Sequence, residues 1–391
     1  ALLTEALEKI NKNESKIYFI TPDTQGTAMA SVAVNYEWVK ILNENNYNAF
    51  ILYDKKDYKP VTDWLGEEYS SLPHACVSSG ELSVGPADVL IVPELFGHVM
   101  EQTKEMACTK VVLCQSYDYI FEMLQPGVQW INYGYTHVIT TSEISKEYIL
   151  SIFPNIDVSV IPPSISEDFT KTEKPGTPLV AIHTREPRDT MKIVKTFYAR
   201  YPQFKWVTFR DMRGMDTKTF ANTLKDVAVG VWVDDISGFG TFPLECMKSG
   251  VPVIGKIPNL KPEWLEEDNG FWTYDFNSLV DVINAYVKTW LEDSVPETLY
   301  EKMDSTVSKY TSETQSEMLL EYFDSLFTEK AVDIDFAIKK LNVIEEITEC
   351  HYTTGDWSIL IKIYCKDNQH LMKLLNGKIQ AIKGVSRTET F

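Results

Sequence analysis

Long apolar runs are missing from this chain. No stretch approaches the roughly 18 to 20 residues that a membrane-spanning helix needs. Basic charge is also scarce, with 37 Lys and Arg against 56 Asp and Glu and a formal net charge of −19. A surface this acidic repels phosphate backbones and anionic headgroups, so neither nucleic acid nor a stable membrane association is an expected partner. Cysteine is sparse, and Cys76, Cys108, Cys114, Cys246, Cys350 and Cys365 form no CxxC pair. They sit mostly in apolar contexts, which fits buried free thiols and offers neither a disulfide framework nor a metal site. The opening "ALLTEALEKINKNESK" lacks the basic start and apolar core of a signal peptide. It reads as a short polar-faced helix, and the expected location is cytoplasmic.

What is present is a soluble globular composition, 44% apolar and 24% charged, spread over 391 residues. That length exceeds a single core and predicts two or three domains. Charge marks one boundary. Residues 331–391 hold eight basic and eight acidic residues, so all of the −19 belongs to the first 330.

Hydrophobic periodicity supplies the rest of the organisation. "KIYFITPD" (16–23) reads as a buried strand, "SVAVNYEWVKILNENN" (31–46) as an amphipathic helix and "YNAFILYD" (47–54) as a second strand. Strands continue at "ADVLIVPE" (87–94), "KVVLCQS" (110–116), "HVITTS" (137–142) and "VSVIPP" (158–163), with a helix over 143–153. After the polar "SEDFTKTEKPGTP" (166–178) the alternation restarts, with strands at 179–184, 204–211, 227–235, 251–255 and 270–275. Helices are expected at 188–200, 216–225, 243–249, 276–292 and 312–327. Alternating strands and helices predict parallel sheets covered on both faces. The fold class is therefore α/β, two doubly wound Rossmann-like halves facing a cleft, with a small C-terminal α+β domain. The expected divisions are a helical extension (1–14), a first half (15–165), a second half (166–328) and the α+β domain (331–391).

In open parallel sheets ligands bind beyond the carboxyl ends of the strands. The strand 227–235 runs into "SGFGTFPLECMKSGVPV", a glycine turn feeding a helix. Glycines let backbone approach a ligand, and the amides at the helix start suit a phosphate. Glu245 lies in the first turns of that helix, where a carboxylate can accept both hydroxyls of a ribose. Glu94, in "IVPELFG", ends another strand, and Gln115, Tyr117 and Asp118 follow a third. Glu94, Gln115 and Asp118 are the candidate catalytic and acceptor-side residues. His183, Tyr119, Phe121 and Trp130 read as packing residues.

The segment "SGFGTFPLECMKSGVPV" resembles the donor-site signature of GT-B glycosyltransferases of the E-x7-E type, with its Gly-Phe-Gly, second glutamate, Met and Gly-x-Pro-Val in register. "TPDTQGTAMAS", "NYEWVKILNENNYNAFIL" and "HVITTSEISKEYI…VSVIPPSISEDF" resemble further segments of that family in order, over about 310 residues in all. The resemblance implies a metal-independent, cofactor-free transferase. It would move a sugar from a nucleoside-diphosphate donor in the second half to an acceptor hydroxyl, carbohydrate or other small molecule, in the first, with retention of anomeric configuration. It implies that Glu245 binds the donor ribose and that the backbone of Gly238, Phe239, Gly240 and Thr241 holds the sugar and diphosphate. Arg185 and Arg188 then neutralise the diphosphate, and Gly26 faces the donor across the cleft. Two positions depart from the family. Ser237 stands where the first glutamate belongs, with Asp234 or Asp235 as substitutes, and Gln115 and Asp118 stand where many relatives carry a His. These departures keep open a second reading, a non-catalytic nucleotide-sugar-binding scaffold.

The last sixty residues, with "TECHYTTGD" and "GVSRTET", resemble the effector domain of Lrp/AsnC-type regulators. That likeness implies a β-α-β-β-α-β sandwich that dimerises and takes an effector near Gly355 and Asp356. The family's first strand is barely present in "AVDID" and its last ends at Phe391, so the copy is cut down. Exposed sheet edges seek partners, which makes a homodimer the expectation. No segment reads as the regulators' helix-turn-helix half, and the acidic charge also counts against a transcriptional regulator.

Overall fold

The computed structural model describes residues 14–173, 175–352, 359–380 and 382. Seven parallel strands build the first sheet: β1 (Lys16–Ile20), β2 (Asn48–Tyr53), β3 (His74–Cys76), β4 (Val89–Pro93), β5 (Thr109–Cys114), β6 (His137–Thr140) and β7 (Asp157–Val160). Their order is β3-β2-β1-β4-β5-β6-β7. Five more, β8 (Leu179–Thr184), β9 (Thr208–Asp211), β10 (Val227–Val233), β11 (Val253–Lys256) and β12 (Phe271–Thr273), form a second parallel sheet. Its order is β12-β11-β10-β8-β9. The expected pair of doubly wound halves is present.

Helices cover both faces of each sheet. In chain order they are α1 (Ala30–Glu44), α2 (Gly97–Gln102), α3 (Glu143–Ile152), α4 (Pro187–Arg200), α5 (Thr217–Leu224) and α6 (Phe242–Lys248). They continue with α7 (Phe276–Leu291), α8 (Glu297–Val307), α9 (Ser312–Leu341) and α10 (Asn368–Leu374). Several starts are capped by short polar side chains. Ser142, Asp216, Asp275 and Thr311 each accept an amide from the third residue of their helix, satisfying a donor the helix itself leaves unpaired. β10 is buried at all seven positions, as a central parallel strand covered on both faces must be.

The helix α9 departs from expectation twice. Its first half packs Leu319, Phe323, Leu326 and Phe327 into the core of the first sheet, not the second. Phe323 meets Phe19 at 6.5 Å and Tyr47 at 6.0 Å between ring centroids. Each such aromatic removed from water contributes roughly 2 to 3 kcal/mol, which outweighs the sequence proximity of α9 to the second half. The helix then runs unbroken to Leu341. The helix expected over 312–327 is thus extended, and "AVDID" continues it instead of forming a strand. No Pro or Gly interrupts the segment, so nothing in it stops the hydrogen-bond ladder. The C-terminal unit pairs β13 (Ile347–Tyr352) with β14 (Ile359–Ile363) antiparallel and packs them on Leu341, Leu374 and Ile379. The expected last strand over 385–391 and the helical extension over 1–13 lie outside the described residues.

Candidate functional site

Strand order reverses once in each sheet, between β1 and β4 and between β8 and β10. The crevice beyond the carboxyl ends at such a reversal is where ligands sit. Loops from the two sheets meet there. Ser142 Oγ donates to the Gly238 carbonyl at 2.8 Å, and the Tyr117 hydroxyl donates to the Asp235 carbonyl at 2.6 Å. Arg185 Nη2 donates to the Tyr119 hydroxyl at 2.6 Å. The carboxyl ends of β5 and β6 therefore face those of β8 and β10.

On the side of the second sheet, Asp234 is buried and ties down the turn that follows it. Its Oδ1 accepts the amides of Ile236 at 2.9 Å and Ser237 at 3.0 Å, and its Oδ2 accepts the Ser237 hydroxyl. Asp235 takes Lys256 Nζ at 2.8 Å and the Asn259 amide at 3.1 Å. Both carboxylates are engaged in holding backbone or lysine, and the Asp235 side chain stays 36% exposed. Gly238 and Gly240 are there for space. A Cβ at Gly238 would lie 1.8 Å from Ser145 Oγ, and one at Gly240, where φ is +75°, would lie 2.5 Å from the Trp232 ring. Phe239, expected to contribute its backbone, turns its side chain inward. Its side chain is 2% exposed and packs on Tyr310, because the apolar ring gains more from the core than from a polar ligand. Its carbonyl accepts Trp264 Nε1 at 2.8 Å, so Phe239 anchors the turn. Thr241 precedes α6 and hydrogen-bonds Glu245. Burial pushes the Glu245 carboxyl up to about 7 against that bond's pull.

The first sheet contributes a carboxylate of a different kind. Glu94 is 4% exposed and accepts the Ser116 amide at 2.8 Å. Burial pushes its carboxyl up to about 7, while backbone amides of residues 94, 115 and 116 and the charge of Arg185 pull the other way. Gln115 Nε2 donates to the Ser31 carbonyl at 3.1 Å and braces the start of α1. Glu94 and Gln115, expected as catalytic groups, are both engaged in fixing the turn after β5. Asp118 is exposed beside them, and Gly26 sits exposed in the loop after β1 with φ +83°.

Arg185 and Arg188 are exposed at the end of β8 and the start of α4. Arg188 has no ion pair among the described residues, since Asp189 pairs with Lys192 at 3.2 Å. His183 stacks on Phe242 at 5.2 Å, and burial lowers its pKa so that the ring stays neutral. Its buried Nδ1 has no partner among the described residues, and neither do Thr24 Oγ1, in the loop after β1, and Thr141 Oγ1, just after β6. Sequence reasoning placed Trp130 correctly in the core, at 1% exposure, but misplaced Tyr119, which is half-buried, and Phe121, which is 56% exposed. It missed Ser142 and Ser145, whose only local signal is the cap position before α3. Gly355 and Asp356, the expected effector turn, lie outside the described residues. No group of His, Cys, Asp and Glu among the described residues is arranged to hold a metal ion.

Comparisons with known proteins match different shares of the chain. The family described as the Lrp/AsnC ligand binding domain matches residues 328–391. The regulatory protein AsnC of Escherichia coli strain K12 is 40% identical over 68 residues, 17% of this chain and 45% of AsnC. The chain thus spans less than half the length of that relative. Among solved structures, TarM matches with a TM-score of 0.61 at 11% identity, covering 81% of this chain and 99% of TarM. The pneumococcal O-GlcNAc transferase GtfA, in complex with UDP and GlcNAc, gives 0.57 at 9% identity over 82% and 99%. HepE of Anabaena, in complex with UDP-glucose, gives 0.58 at 13% identity over 79% and 99%. The region before the C-terminal unit has the GT-B fold.

Proposed function

We propose that the protein is a glycosyltransferase that moves a sugar from a nucleoside-diphosphate donor to an acceptor hydroxyl without a metal ion. One observation supports this reading: a glycine turn locked by Asp234 follows β10, meets the first half at Ser142 and leads into the helix that bears Glu245. Glu245 takes the donor ribose, and Arg185, Arg188 and the amides of Gly240 and Thr241 take the diphosphate. The bond from the anomeric carbon to the diphosphate oxygen breaks with its electron pair staying on the diphosphate. The acceptor oxygen forms the new bond and gives up its proton to the leaving diphosphate. Charge gathers on the leaving diphosphate as this happens, and cations already in place stabilise that transition state. Nucleotide and sugar bound to structural neighbours of the same fold support the reading. We further propose a retained anomeric configuration, a cytoplasmic location and a homodimer through the C-terminal unit. Light scattering at micromolar concentration checks the last, and a monomer contradicts it.

A second reading, a nucleotide-sugar-binding scaffold without turnover, has one observation in its favour. Ser237 lacks the carboxylate, and Asp234 and Asp235 are both engaged elsewhere. Incubation with UDP-, GDP- and ADP-sugars, followed by quantifying nucleoside diphosphate, separates the two. Release from one donor, lost in Glu245→Ala, supports the transferase. A donor that binds through Glu245 yet stays intact with every candidate acceptor supports the scaffold. No binding of any donor contradicts both.

A further inference from the structure

The short helical turn Tyr117–Tyr119 after β5 belongs to the first sheet, yet its two tyrosines reach into the second half of the molecule. Tyr117 donates its hydroxyl to the Asp235 carbonyl at 2.6 Å, which pins this turn against the one that precedes α6. Tyr119, two residues on, does something different. Its hydroxyl accepts Nη2 of Arg185 at 2.6 Å, and its ring centroid lies 5.8 Å from the guanidinium carbon. A guanidinium carries five N–H donors, so this bond leaves most of the fork free to meet an anion. The tyrosine's own O–H finds no acceptor among the described residues. A phenol that accepts from a cation is polarised to donate more strongly through its remaining proton.

Resting on the transferase reading above, we propose that Tyr119 completes the diphosphate site from the opposite domain, holding Arg185 by its oxygen and donating its own proton to the same anion. Arg185 is exposed and its long side chain has many rotamers, so an unsupported arginine loses affinity to the cost of ordering it. Tyr119 removes part of that cost before the donor arrives. The arrangement also explains why Glu94 is buried beside this turn. By gripping the Ser116 amide it fixes the backbone from which both tyrosines project. Because the site is shared, the donor's phosphates bind fully only while the two halves are together. Tyr119 is a binding and positioning residue in this scheme and takes no part in breaking bonds.

The test is a set of titrations with UDP, GDP and ADP, and with the matching free nucleosides, on wild type, Tyr119→Phe and Arg185→Ala. Tyr119→Phe keeps the ring and removes only the hydroxyl. The diphosphate that binds wild type is expected to bind this variant at least about tenfold more weakly, the loss of one charge-assisted bond. The free nucleoside is expected to bind both proteins equally, a split that a merely structural tyrosine would not produce. Equal diphosphate affinity in wild type and Tyr119→Phe, with Arg185→Ala weakened, overturns the role of Tyr119 and leaves the donor site standing. Tighter diphosphate binding by Tyr119→Phe also overturns it, since the hydroxyl would then compete with the anion for Arg185. Failure of all three diphosphates to bind wild type overturns the donor site itself.

Discussion

Two glutamates stand at the carboxyl ends of the two sheets, and burial raises both carboxyls to about 7. Their surroundings set them apart. Glu94 is wrapped by backbone amides of the β5 turn and has become part of the scaffold. Among the described residues Glu245 has Thr241 alone as a side-chain partner, while on its side of the cleft Asp234 ties the turn down. A raised pKa therefore does not identify a working carboxylate. What identifies it is a neighbouring group that relieves it of structural duty.

That contrast is open to direct attack. The largest expected effect falls on ligand affinity. Glu245→Ala is expected to weaken donor binding about 100-fold, near 3 kcal/mol for two hydrogen bonds to a charged group. Glu94→Ala, measured by the same calorimetric titration, is expected to shift it less than about threefold. Comparable losses in both variants would erase the distinction. Stability should show the reverse order. Glu94→Ala leaves the Ser116 amide unpaired in a buried turn and is expected to cost about 2 kcal/mol in urea unfolding. Glu245→Ala is expected to cost less than about 0.5 kcal/mol, in the range of substitutions that break no structural network.

A further effect is shared by both sites and concerns pH. Each folded-state carboxyl titrates near 7 instead of the usual 4.5, so the native protein holds more protons than the unfolded chain between those values. Their contribution to stability is full below about pH 4.5 and is lost as pH rises through about 7. Wild type should therefore lose stability from pH 5 to pH 8 relative to the Gln variants, by on the order of 1 to 3 kcal/mol per site. Thermal melts of Glu94→Gln and Glu245→Gln across that range check the sign. A difference that is flat with pH, or that grows towards acid, would contradict the burial of these groups.

How much of this was legible in the sequence depended on range. The α/β class followed from local periodicity, and Glu245 from a motif contained within some twenty residues. Strand β3 escaped notice because "HAC" is too short to show alternation, and the strand expected over 204–211 shrinks to Thr208–Asp211 because Pro202–Phe204 turns first. The destination of α9 was hidden for another reason. Its apolar stripe announces a buried face without saying which sheet will bury it. The cleft contacts were beyond reach altogether: Tyr119 and Arg185 are 66 residues apart, and Ser142 and Gly238 are 96 apart. Likewise, the aspartates at 234 and 235 looked like stand-ins for a missing glutamate until their hydrogen bonds showed them occupied.

The decisive measurement is a crystal structure of the protein with the nucleoside diphosphate that binds it. The expected result is a ribose whose two hydroxyls lie within hydrogen-bond reach of Glu245, with the diphosphate between Arg185 and the turn at Gly238 to Thr241. A nucleotide seated elsewhere, or one whose ribose leaves Glu245 untouched, would contradict the assignment of this cleft as a sugar-nucleotide site.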